Sequence, residues 1–369
     1  MEVLFLGLRG LLVVGAMVVV AATMLSAVRT FILPRAANTF LSRLVFVTIR
    51  RAFDRVVRRL DTYERQDAVM ALFAPVGLLA LPVVWLIITF AAYAAAYWAI
   101  DPELGWQMAI DESGSALFTL GFRAAEGLPA RLLSFTESAL GLTLIALLIT
   151  YLPSIYAAFS KREVAVQKLD VRAGTPPSAV TMIVRFHRIG WLDELDGLYT
   201  DWEDWFVELG ETHTSLAALV FFRSPRADQS WVTAAGCVLD TAAITSSTLD
   251  LGRRTPYADL CLRAGFLSLR SVASYLAIPF DPAPSPGDPI SVTREEFLQA
   301  YDELARAGVP VRLDAEQCWV DFAGWRVNYD TVLLGLASVT MAPLSPWSSD
   351  RSPAFRSPLL RGRASRPPG

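Results

Sequence analysis

The chain has 369 residues, a net charge of −3 and apolar side chains at 53% of its positions, with a mean hydropathy of +0.40. These values exclude an ordinary soluble globule and point to a membrane protein that carries a polar domain. The three cysteines (Cys237, Cys261, Cys318) make no CxxC or zinc spacing, so they read as small buried apolar residues, and only two histidines are present, which argues against a histidine metal or proton-relay site.

The first apolar run, Val3 to Leu25, has Arg9 as its only charge. It lacks the basic leader of a signal peptide and is followed by dense arginine, so residues 1–28 are predicted to form a transmembrane helix. Residues 29–67 are strongly basic. Val45, Ile49, Phe53, Val56, Leu60 and Tyr63 recur at helical spacing, and Arg43, Arg50, Arg51, Arg55, Arg58, Arg59 and Arg65 fall mostly off that face. A cationic amphipathic helix beside a span is expected on the anionic inner leaflet, with Arg50, Arg51, Arg55, Arg58 and Arg59 meeting lipid. A voltage sensor would carry its arginines at a regular interval within an apolar run of about 20 residues, and neither holds here. Position between two spans favours lipid over nucleic acid as the partner of these cations.

Ala68–Ile100 contains no charged residue, and Leu132–Phe159 contains one acid, Glu137. Both are long enough to cross a hydrocarbon core of about 30 Å. Arginine dominates residues 29–65. The 101–131 loop is acidic, and Lys161 and Arg162 follow the third span. The positive-inside rule therefore predicts a multi-pass cell-membrane protein with an external N-terminus and a cytoplasmic C-terminal half.

Inside the 101–131 loop, Ser113-Gly114-Ser115-Ala116 is rich in small residues and leads to Thr119-Leu120-Gly121-Phe122-Arg123-Ala124. Small side chains let a short helix pack tightly between spans, and a re-entrant segment is stable only where protein or water satisfies its backbone. With its flanks, this run resembles the pore loop of the tetrameric potassium-channel family, where a short helix leads into Thr-Val-Gly-Tyr-Gly-Asp. The resemblance covers about residues 70–160. It implies a pore-like domain at 68–160, a homotetramer, monovalent ions as the transported species, and an ion pathway along Thr119, Leu120, Gly121, Phe122 and Arg123. It further implies a supporting role for Ser115, a glutamate behind the filter at Glu137, a hinge at Gly141 and a bend near a gate at Pro153. Glu137 also reads as an acid reaching the interface or pairing with Arg131. Arg123 stands where the family has its second filter glycine. Four copies would ring the mouth with positive charge, which opposes cations unless Asp111, Glu112 or Glu126 compensates it.

Residues 161–342 read as an all-α cytoplasmic domain of six or seven helices, near Trp191–Glu211, Leu216–Phe222, Ser230–Leu251, Tyr257–Ile278, Arg294–Ala307 and Asp314–Ala337. Residues 343–369 are expected to be a disordered basic tail. The acids Asp193, Glu194, Asp196, Asp201, Glu203 and Asp204 lack calcium-loop spacing and read as a solvated helix face. The cluster around His213 reads as a hydrogen-bonded structural site. There is no P-loop, dinucleotide fingerprint or GxSxG, so neither a cofactor nor an enzymatic reaction is expected. Glu211–Leu216 and Ser230–Gly236 resemble stretches of actinobacterial membrane proteins, some of them labelled potassium-channel family. The fold class expected is all-α: a helical membrane protein with three transmembrane helices and a re-entrant pore-like loop, plus an all-α cytoplasmic domain. The function expected is an ion channel with an atypical filter. The alternative is a non-conducting channel-like scaffold whose helical domain binds partners.

Overall fold

The computed structural model describes residues 2–31, 39–101, 103, 105–123 and 125–352, with side chains from residue 5 onward. Among them every regular element is helical. The one β feature is an isolated antiparallel bridge between Leu249 and Val311. Arg35, Ala124 and residues 353–369 of the expected tail lie outside the described residues.

Three helices are long and apolar enough to cross a membrane: α1 (Glu2–Phe31), α4 (Phe73–Ile100) with the turn before it, and α6 (Leu128–Ala173). The chain divides into two compact units. One comprises residues 1–55 and 72–157, and the other residues 56–71 and 158–369.

In the first unit α1 packs along α4, and two apolar clusters hold the bundle. One joins Ala16 and Val20 to Tyr93, Ala96, Tyr97 and Ala130. The other joins Ala27 and Val45 to Leu81, Trp85 and Leu144. Pro82 lies inside α4 and Pro153 inside α6, and both helices continue through them.

The basic loop is not one amphipathic helix. It forms α2 (Phe40–Val57) and α3 (Tyr63–Ala71), separated by a turn at 58–62 that includes Leu60 of the expected apolar face. Within α2, Arg50 turns inward. It is buried, pairs with Asp54 at 2.9 Å and lies 5.4 Å from the centre of the Phe73 ring. That corrects its expected lipid-facing placement: an ion pair and a cation–π contact hold the charge inside the bundle. Arg51, Arg55, Arg58 and Arg59 are exposed.

The second unit is organised around α9 (Trp231–Ser247), whose residues are almost all buried. A helix apolar on every side belongs at the centre of a bundle. Around it pack α7 (Ala179–Arg188), α10 (Pro256–Tyr275), α12 (Ala315–Arg326) and α13 (Asp330–Thr340), while α8 (Leu195–Ser215) lies along α10. Helix α11 (Arg294–Arg306) starts with a capping box between Thr293 and Glu296. The helix expected at 314–337 is two, α12 and α13, broken before Asp330. Helix α7 has no counterpart in the sequence expectations.

Three arginines, Arg162 and Arg326 buried and Arg223 partly buried, tie loop carbonyls to this unit. Arg162 donates to the carbonyls of Leu219 and Phe222 and pairs with Glu163 at 2.8 Å. Arg223 pairs with Asp67 and donates to Thr340 O and Met341 O, which fastens α3 to the end of α13. Arg326 pairs with Asp240 and Asp330 and donates to Trp347 O. The last contact, with Ser345 donating to Pro177 O, fixes residues 343–352. These residues are packed where a disordered tail was expected from 343 onward.

Candidate functional site

The loop between α4 and α6 contains α5 (Gly105–Leu117). Trp98, near the end of α4, stacks on Trp106 at the start of α5, with centroids 4.9 Å apart and planes 9° from parallel. Amphipathic aromatic rings favour the membrane–water boundary. From there α5 runs back along α4. Ser113 reaches the carbonyl of Phe90, eight residues before Trp98, or about 12 Å at 1.5 Å per residue. The N-terminal half of α5 keeps Trp106, Met108 and Ile110 exposed, whereas Glu112, Ser113, Ser115, Ala116 and Leu117 are buried.

Serines fix the buried half. Ser113 Oγ lies 3.0 Å from Phe90 O in α4 and 2.5 Å from Glu137 Oε1 in α6. A hydroxyl carries one proton, so it donates to one of these oxygens at a time. Glu137 is fully buried and has the Tyr97 hydroxyl as a neighbour. Its place is thus behind α5 rather than beside the exposed segment that follows, and it makes neither the surface contact nor the Arg131 pair open to it in the sequence. The next residue, Ser138, donates to Ala116 O at 2.8 Å. Gly141 follows on the same face. A Cβ there would stand 2.2 Å from Leu117 O, so the missing side chain admits the end of α5. Close contact, rather than the expected hinge, is what its surroundings offer.

The end of α5 has a specific form. Thr119 N–H donates to Ala116 O at 3.0 Å, and Leu120 N–H donates to Ser115 O at 2.9 Å. These are the two bonds of a Schellman cap, with Thr119 in its left-handed position at φ 55°. Glycine normally occupies that position. A β-branched residue there is an outlier that its surroundings must hold. Gly121 is also left-handed, at φ 71°. Ser115 closes the loop: it accepts from Arg123 N–H at 3.1 Å and lies 3.3 Å from Arg123 O. The segment expected to carry the ion pathway, Thr119 to Arg123, therefore begins as a capped turn. Phe118, Leu120 and Phe122 are half exposed or more, and Arg123 is exposed, within Coulombic range of Glu112.

Helix α6 completes the site with three stripes along its length. Glu137, Gly141, Leu144, Tyr151 and Ile155 are buried. Leu132, Phe135, Leu142, Ile149 and Leu152 form an exposed large apolar stripe. Between them Thr136, Ala139, Thr143, Ala146, Thr150, Pro153 and Ala157 form an exposed stripe of small or hydroxyl side chains. The hydroxyls of Thr143 and Thr150 bond to carbonyls one turn back, at 2.8 Å and 2.9 Å, so the stripe presents few unmet donors.

In the second unit the cluster around His213 is fully buried. His213 meets Arg162 at 3.1 Å and packs on Trp231 at 4.9 Å. Burial, reinforced by the Arg162 charge, holds its pKa well below the usual histidine value. Of the acids near α8, Asp193 and Asp196 pair with Arg253. The deepest charged cluster joins Arg326, the Tyr329 hydroxyl and Asp330 to Asp240, and it was not found from the sequence because Asp240 lies 86 residues from Arg326 along the chain. Comparison with family models, curated proteins and solved structures yields no match.

Proposed function

We propose that this protein is a homotetrameric membrane ion channel of the two-span pore type with an atypical mouth. The observation that carries the reading is the return of α5 along α4, clamped by Ser113 between Phe90 and Glu137. A short helix held by its neighbours in this way meets the requirement for non-spanning backbone at membrane depth. The exposed tip Phe118–Arg123 and the small-residue stripe of α6 supply surfaces that copies of the chain would cover, since close helix packing in lipid uses small residues. Residues 56–71 precede the α4–α6 hairpin and residues 158–352 follow it, yet both belong to one unit. A hairpin that crosses twice returns the chain to one side, in keeping with a cytoplasmic second unit and an external N-terminus. Arg51, Arg55 and Arg59 would then face the anionic inner leaflet. Ions pass between the tips of α5, and Glu112 offsets the charge of Arg123 at the mouth.

One pore loop per chain cannot enclose a pore, so native mass spectrometry of the detergent-extracted protein should give four copies. A monomer would sink the reading. The Schellman cap favours a second reading, a non-conducting scaffold that keeps the hairpin, because a capped turn does not present a row of carbonyls to an ion. That reading predicts a stable protein through which no potassium, sodium or chloride moves in liposomes.

A further inference from the structure

The second unit carries a groove of about 560 Å³ between the end of α6 and the end of α7. Lys168, Arg172, Arg185 and Arg188 line it with Ile189 and Trp191, and no carboxylate is among its lining residues. None of the four cations makes an ion pair among the described residues. Arg185 donates to Val171 O at 2.9 Å and Arg172 to Lys168 O at 3.2 Å. Cations at helix C-termini are ordinarily explained by the helix dipole. Two such termini supply roughly half a negative charge each, about one in total, against four positive charges. About three positive charges are left over. The dipole also does not explain the apolar rim, where Ile189 is 61% and Trp191 54% exposed.

A cationic lining with an apolar rim fits an anion that carries its own apolar body. A free phosphate would satisfy the charges and leave Trp191 and Ile189 in water. A chain with three helices suited to crossing a bilayer has one such ligand at hand. We propose that this groove is a binding site for an anionic phospholipid. Lys168, Arg172 and Arg188 would take the headgroup phosphate, and Trp191 and Ile189 the glycerol and upper acyl region. The site is separate from the α2 arginines, and the proposal is independent of ion conduction.

The test uses the full-length protein in mixed vesicles containing a photoactivatable phosphatidylglycerol, followed by peptide mapping. The expected labelling falls on the peptides containing Val171 and Ile189–Trp191. The double variant Lys168→Glu with Arg188→Glu, both exposed side chains, should lower it about tenfold and leave labelling of α1 unchanged. Equal labelling of these peptides by a photoactivatable phosphatidylcholine would overturn the proposal, as would labelling unaffected by the double variant. Loss of labelling on adding millimolar inorganic phosphate, with salt held constant, would also overturn it by making the site one for free phosphate.

Discussion

Gly141 and His213 show how single residues set limits on the two units. At Gly141 the obstacle to a side chain is a backbone carbonyl, Leu117 O at 2.2 Å, which cannot rotate away as a side chain would. Gly141→Ala should therefore destabilise the first unit by about 1–3 kcal/mol, the usual cost of overpacking. Thermal unfolding in detergent would register this as a lower midpoint, and an unchanged midpoint would mean that α5 is not seated against α6. His213 makes the second unit sensitive to acid. Its folded pKa lies below the unfolded value of about 6.5. Above that pH both states are neutral and the histidine exerts no pH effect. As pH falls below about 6.5 the unfolded chain takes up a proton that the folded one refuses. Stability then drops by up to about 1.4 kcal/mol per pH unit until the folded pKa is reached. Denaturant unfolding at pH 7 and pH 5.5 should show this loss, and His213→Gln should reduce it.

Among the elements, α5 is where sequence and structure differ most instructively. The small residues Ser113 to Ala116 correctly foretold a tightly packed short helix. They could not foretell the cap, because the helix stops through two backbone bonds with Thr119, rather than a glycine, in the left-handed position. Left-handed backbone costs a non-glycine residue roughly 1–2 kcal/mol. Thr119→Gly should therefore raise stability by about 1 kcal/mol, read as an increase of a few degrees in the unfolding midpoint. A fall would show that the threonine hydroxyl, 2.8 Å from Phe118 O, contributes more than the strain removes. The basic loop teaches a related lesson. Its helical spacing was visible, but periodicity does not register the turn at 58–62 or the inward-facing Arg50, whose partners Asp54 and Phe73 decide its place. Helix α7 has ten residues, six of them buried and apolar (Ala179, Val180, Met182, Ile183, Val184 and Phe186), and a stretch this short spans too few turns for the periodicity to stand out.

For the molecule as a whole, three long apolar helices and an otherwise helical chain were legible because hydropathy and 3.6-residue periodicity are local properties. Buried polar networks were not. Arg326 joins residues 240 and 347, and Arg223 joins residues 67, 340 and 341, distances along the chain that no local pattern spans. The same networks explain why residues 343–352 are packed despite their proline- and serine-rich composition, and why α3 belongs with the second unit although it lies between two apolar helices in sequence. The first unit leaves the tip of α5 and the small-residue stripe of α6 exposed, the surfaces that the proposed tetramer would use. The central claim, that ions pass the tip of α5, is tested most directly by flux through liposomes reconstituted with the wild-type protein and with Arg123→Gly. The expected result is measurable ion flux in the wild type and several-fold higher cation permeability once the guanidinium is removed from the mouth. Absence of flux in both proteins, or identical permeability in the two, would contradict it.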